Sequence, residues 1–324
     1  MKDILIWIMY HEKDVAKNIW FIETFTKKCN TYNVDMKLIT VEQYLSEKLS
    51  GTPDAVVARM INPAVSKMLE DEGIRVYNNF KVSYICNNKA ECIRYARSLG
   101  VRHIPTLVIS LNEDGRYVYE PICNKNNNNN DDGDGVVDLL TYKLNSVCPC
   151  NDMPEKYVIK SVSGHGGREV MLLSEYFDKY NCSFEEFKPA PVLQEKAAAE
   201  YYADKYVVQP LIECDGRDLR VYIVGGRIIG AVLRTAHDGF KSNFSLGGSV
   251  ELYTLNDAQK NIIKKITDSL AIDYGGLDFL VCGKNDELVF NEIEDVVGAR
   301  MLSECSDIDY IGCYVEHIIG SVSV

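Results

Sequence analysis

From Ile4 to Tyr77 the chain alternates short apolar, β-rich runs with stretches whose apolar residues recur at three- and four-residue spacing. Ile4–Met9, Met36–Thr40, Asp54–Ala58 and Ile74–Tyr77 predict strands, while Val15–Lys28, Val41–Lys48 and Ala64–Glu70 predict helices. Strands alternating with helices imply a small parallel sheet flanked by helices. Asn87–Leu99 reads as a further helix, and Thr106–Ser110 and Tyr117–Glu120 as a strand and its hairpin partner. Strands resume at Tyr157–Lys160 and Val170–Leu173. Ser174–Phe187 predicts a helix, and residues 190–205 a polar connection. Beyond Val207 the pattern is mostly β as far as Phe290, broken by a helix over Ala258–Leu270, and Cys305–Ile319 predicts a closing helix. The class is α/β (α+β), in three segments: an N-terminal α/β domain over 1–85, a central lobe over 86–206 and a C-terminal lobe over 207–324.

An acidic low-complexity insertion at 124–135 interrupts the central lobe, with Asn126–Asp134 its core. Asn130, Asp132, Asp134, Gly135 and Asp138 fall at calcium-loop positions. However, Thr141 stands where the bidentate glutamate belongs and no helix leads in, so the reading is a mobile insertion.

Composition changes the picture in three ways. No apolar run approaches the roughly 20 residues of a membrane span, and the opening strand lacks the marks of a signal peptide. A net charge of −12 disfavours non-specific nucleic-acid binding. The 11 cysteines are dispersed, which favours reduced thiols and a cytoplasmic protein. Cys148-Pro-Cys150 is too tightly spaced for the usual zinc pair.

The chemistry concentrates in two places. Gly275-Gly-Leu-Asp278 and Leu288-Val-Phe-Asn-Glu-Ile-Glu294 read as adjacent strands. Residues i and i+2 of a strand share a face, so Glu292 and Glu294 lie together, with Asp278 alongside if the strands pair. Three convergent carboxylates repel one another unless a cation intervenes, and hard oxygen donors suit Mg2+ or Mn2+. A solvated strand face is the alternative. The second place is Tyr157-Val-Ile-Lys160, followed by Ser161-Val-Ser-Gly-His-Gly-Gly167. A glycine loop beside a lysine can present several N–H groups to phosphate, though strand leads here to strand, unlike a P-loop or a dinucleotide fingerprint.

The order of strand-lysine, glycine loop, Val207-Val-Gln-Pro-Leu-Ile212, Gly216-Arg-Asp-Leu-Arg220 and the carboxylate pair resembles the ATP-grasp superfamily. Within it the chain is most similar to RimK-type carboxylate–amine ligases over roughly residues 80–300. Phe240-Lys-Ser-Asn243 with Gly247-Gly248 is similar to that group's Arg-Ser-Asn…Gly-Gly stretch. Asn291-Glu-Ile-Glu294 departs from its Asn-Glu-Ile-Asn at Glu294. The resemblance implies an ATP-grasp fold behind an N-terminal parallel-sheet domain, with ATP and Mg2+ (or Mn2+) as cofactors. It implies an amide bond formed through an acylphosphate, with release of ADP and phosphate. Small-molecule, amino-acid or peptide substrates are the implied partners; neither nucleic acid nor membrane is, and a homo-oligomer is compatible. On this resemblance Lys89, Lys160, Ser163, Gly164, His165, Gly166 and Gly167 hold the phosphates. Gln209, Pro210, Leu211 and Ile212 form the adenine hinge, and Asp218 takes the ribose. Arg220 and Arg234 are catalytic, clamping a carboxylate or acylphosphate, Asn243 is catalytic near the phosphates or metal, and Asp278, Glu292 and Glu294 bind metal. Arg59 faces the cleft, and Arg300 is a candidate for the acceptor's carboxylate. An ATP-grasp kinase, a non-amide ligase and an ATP-binding sensor share this nucleotide machinery and remain alternatives.

Overall fold

A computed structural model describes residues 4–46, 49, 51–124, 157–164, 170–181, 204–236 and 249–322. The Asn126–Asp134 insertion, the calcium-like spacing and Cys148-Pro-Cys150 lie outside them. Three sheets organise the described residues. The first comprises β1 (Leu5–Tyr10), β2 (Asp35–Thr40), β3 (Ala55–Ala58) and β4 (Arg75–Tyr77), all parallel, in the order β2-β1-β3-β4. On β1, Ile6, Ile8 and Tyr10 join the core beneath helix Ile19–Thr31. Trp7 and Met9 join a second core with Val56, Val65 and Leu69. Two covered faces explain why this strand reads as an unbroken apolar run. Helix Pro63–Asp71 starts where expected because Asn62 accepts from the Val65 N–H and Pro63 occupies the first turn.

The second sheet is antiparallel, in the order β6-β5-β9-β7-β8. Its strands are β5 (Thr106–Leu111), β6 (Tyr117–Ile122), β7 (Tyr157–Ser161), β8 (Val170–Leu172) and β9 (Asp204–Pro210). Because β9 pairs with both β5 and β7, a division at 206/207 cuts through a strand of this sheet. The third sheet, also antiparallel, runs β12-β11-β10-β13-β14. Its strands are β10 (Arg217–Val224), β11 (Arg227–Thr235), β12 (Ser249–Leu252), β13 (Tyr274–Cys282) and β14 (Glu287–Glu294).

Helices Phe80–Cys86 and Lys89–Ser98 pack against β14. The first lies where the sequence pattern predicted no element; Asn79 starts it by accepting from the Val82 N–H. Leu219, Val221, Ile223, Leu277, Phe279 and Phe290 turn one face of the third sheet into the core beneath these helices. The closing segment is two helices, Arg300–Cys305 and Tyr310–Val322, in place of one. Ser306 is extended, with its hydroxyl donating back to Leu302 O, and Asp309 accepts from the Gly312 N–H to begin the second helix.

Candidate active site

The register of the third sheet assembles a polar face. Arg220 on β10 lies opposite Asp278 on β13, and Asp218 opposite Arg234 on β11. Glu292 on β14 faces Asp278, and Glu294 faces Gly276. A β-bulge occurs here: Phe290 pairs with Phe279 and Glu292 with Asp278, which leaves Asn291 as the extra residue. Strict alternation would put Phe290 on the face of Glu292. The bulge sends Phe290 into the core and keeps both glutamates on the polar side.

Carboxylate oxygens of Asp278, Glu292 and Glu294 lie within 4.8 Å of one another. Arg220 grips Asp278 with two bonds, Nε to Oδ1 at 2.8 Å and Nη2 to Oδ2 at 2.6 Å, and its Nη2 is also 2.9 Å from Glu294 Oε1. Arg234 pairs with Asp218 through Nε and through Nη2 (2.7 Å), and reaches Asp278 Oδ2 at 3.0 Å. Burial opposes the charge on Asp278, but the two guanidiniums outweigh it and hold its carboxyl down at about 2. Burial pushes Glu294 up, against the pull of Arg220 and with help from the neighbouring carboxylates. Gly276 makes this packing possible, since a Cβ there would sit 3.0 Å from Val297 Cγ2 and 3.5 Å from Arg220 Cδ.

Two lysines approach from the second sheet and its helix. Lys89 opens helix Lys89–Ser98, capped by Asn88, which accepts from the N–H groups of Ala90 and Glu91. Its own N–H donates to Val162 O, and its ammonium donates to Gly164 O and sits 3.6 Å from Glu292 Oε2. Lys160, at the end of β7, donates to Asn291 Oδ1 at 3.4 Å. Burial lowers its pKa to about 8, with Lys89 pushing the same way against Glu292. The face thus sets Asp218, Asp278, Glu292 and Glu294 against Arg220, Arg234, Lys89 and Lys160. Among the described residues these four charges on each side balance, so a polyphosphate bound here must bring cations with it. The donor set fits a hard divalent ion: oxygen ligands only, from three carboxylates.

Of the remaining expected residues, Gln209 is buried, donating to Thr106 Oγ1 at 2.9 Å, while Pro210 ends β9. Leu211 is exposed and Ile212 half-buried just beyond. Ser163 and Gly164 are half-buried after β7. Arg59 is buried between the first and third sheets, and Arg300 is exposed at the start of its helix. His165, Gly166, Gly167 and Asn243 lie outside the described residues. Asn291 is the contact that sequence reasoning missed; the polar residue ahead of two alternating glutamates was the available signal.

A model of the RimK-like ATP-grasp domain matches residues 149–318, more than half of the chain. An uncharacterized protein MG011 homolog of Mycoplasma pneumoniae is 32% identical over 154 residues, covering 47% of this chain and 48% of its own. Beta-citrylglutamate synthase B of Mus musculus is 33% identical over 263 residues, covering 76% of this chain and 57% of that one. The chain spans about half the length of such curated relatives. Among solved structures, a D-alanine–D-alanine ligase from Bacillus anthracis matches with a TM-score of 0.64 at 15% identity, covering 99% of this chain and 97% of that one, a likeness of fold. No helix among the described residues is long and apolar enough to cross a membrane.

Proposed function

Since the chain belongs to the RimK-like ATP-grasp family, we propose that it is an ATP-dependent ligase joining a carboxylate to an amine, with ADP and phosphate released. The observation that carries this reading is the convergence of the Asp278, Glu292 and Glu294 carboxylates beside Lys89 and Lys160. A binding protein has no use for so costly a cluster, whereas phosphoryl transfer needs metal and cations around the γ-phosphate. Asp278, Glu292 and Glu294 would hold magnesium, which would supply charge neutralisation on the phosphates. Lys160 and Lys89 pair with phosphate oxygens. Arg234 and Arg220, already oriented by Asp218 and Asp278, present guanidinium edges to the charge that moves. A substrate carboxylate oxygen attacks the γ-phosphorus as ADP leaves. The amine then attacks the acyl carbon as phosphate leaves. Leu211 and Ile212 at the end of β9 offer apolar walls to the adenine. Glutamate is the first amine to try, because several relatives carry it in their names.

Incubation with ATP, Mg2+ and pooled amino acids should yield ADP, phosphate and a new amide by mass spectrometry. AMP as the stoichiometric product would sink the mechanism. A stable phosphorylated acceptor with no amide would mark a kinase instead.

A further inference from the structure

Three of the four cations of the site are paired with carboxylates. Arg220 holds Asp278, Arg234 holds Asp218, and Lys89 sits 3.6 Å from Glu292. Lys160 has no carboxylate within ion-pair distance among the described residues; its hydrogen-bond partner there is Asn291 Oδ1, at 3.4 Å. Both side chains are half-buried. Lys160 lies opposite Val207 on β9, and Val207 belongs to a core that includes Leu219 and Phe290 of the third sheet. Opposite residues of paired strands share a face, so this face of the second sheet is turned toward the third. The bond therefore joins the two sheets, one residue from Glu292.

Asn291 owes its place to the bulge. Without the extra residue, Phe290 would run directly into Glu292, and β14 would carry no side chain to meet the lysine. Bulges beside active sites commonly re-aim a side chain. What is aimed here is an amide, and its lack of charge matters. A lysine side chain is long and loses much rotamer freedom when it is fixed. An ammonium only donates, so the amide must offer it oxygen. A carboxylate in the same place would fix the lysine and also consume its charge, whereas an amide fixes it and leaves the charge for an incoming anion.

We infer that Asn291 is a positioning residue for the nucleotide: it holds Lys160 toward the phosphates with its charge unspent, and it acts through Lys160. This role rests on the nucleotide-binding half of the ligase reading. It makes a demand on residue type, because a neutral acceptor at 291 favours phosphate binding and an anionic one opposes it.

The test is a double-mutant cycle on the affinity of the full chain for a non-hydrolysable ATP analogue with Mg2+, measured by calorimetry. Asn291→Ala should weaken binding roughly 3- to 10-fold, the loss expected of one hydrogen bond. In a Lys160→Ala background the same substitution should change affinity by less than about twofold, because its target is gone. Asn291→Asp, nearly identical in shape, should bind the analogue at least roughly 10-fold more weakly than the parent, by pairing with Lys160 and repelling phosphate. Equal losses from Asn291→Ala in the two backgrounds would overturn the role and make Asn291 a structural part of the bulge. So would an Asn291→Asp protein that keeps the parent's affinity, which decides the matter even if Asn291→Ala does not fold. A parent protein that binds no analogue removes both this role and the ligase reading. A coupled cycle in a protein that forms no amide removes the ligase reading alone.

Discussion

Asp278 is held by two arginines, and that changes what its substitution should do. Seen in the sequence alone, Asp278→Asn looks like a loss of charge from a metal with the fold intact. In the structure it also strips counter-charge from buried Arg220 and Arg234. Breaking such a pair costs about 3–5 kcal/mol, so Asp278→Asn should lower the denaturant midpoint as well as abolish turnover. Glu292, half-exposed and ion-paired among the described residues with Lys89 at 3.6 Å, should behave differently. Glu292→Gln should cost less than about 1 kcal/mol of stability and still abolish ATP turnover. Equal stability losses in the two variants would refute the distinction. Lys160 carries a pH signature. With its pKa lowered to about 8, the free protein loses this charge as pH rises through 8, and phosphate binding must restore it. Affinity for an ATP analogue should therefore fall above pH 8, approaching tenfold per pH unit, and Lys160→Arg should flatten the profile in the same titration.

At the scale of elements, the carboxylates and the strand-lysine were legible because each sits on a short strand whose alternation the residues themselves display. What alternation cannot reveal is an inserted residue, because a bulge is a property of two strands and a sequence displays one at a time. Phe290 was therefore readable as apolar but not as facing away from Glu292. Removing Asn291 should close the bulge while leaving Phe290 opposite Phe279 and Glu292 opposite Asp278. Mn2+ binding by titration should then persist, although the partner of Lys160 is lost; loss of Mn2+ binding would mean that the bulge itself shapes the site. Helix Phe80–Cys86 was missed for a related reason. It is two turns long, and tertiary packing against β14 decides it where local pattern is weak. By contrast, Asn88 is a cap that can be read directly from sequence. Asn88→Ala should cost roughly 1 kcal/mol by thermal unfolding and, by loosening Lys89, weaken analogue binding.

Across the whole molecule, the apolar cores do not follow the order of the chain. One core joins the first sheet and helix Ile19–Thr31 to Tyr222, Tyr274 and Val232 of the third sheet through Tyr310 and Tyr314 of the last helix. The middle sheet has a core face of its own, built from Leu107, Ile109, Tyr157, Ile159 and Val208. Three consecutive segments were visible in the pattern, but contacts between the first and the last, more than 200 residues apart, leave no local trace. Tyr314, whose hydroxyl donates to Tyr77 O, is one such contact. Tyr314→Ala should cost about 3–5 kcal/mol. The two tryptophans, Trp7 and Trp20, lie in the first 31 residues, so their fluorescence reports on that part alone. Their unfolding midpoint should shift as far as the circular-dichroism midpoint does, although the substitution is at the other end of the chain. A lag between the two would mean that the ends unfold separately.

This shared core also decides which pieces of the molecule can be exchanged. The middle sheet, inserted between two halves of one folded body, turns its other face (Val108, Ile122, Val162 and Val207) into a core shared with Leu219 and Phe290 of the third sheet, so a relative's sheet can replace it only if those positions are kept. A foreign first segment, however, would meet Tyr310, Tyr314 and Ile318 shaped for another surface. Chimeras that recombine such chains therefore inherit their beginnings and endings together, and the permissible crossovers are those that flank the middle.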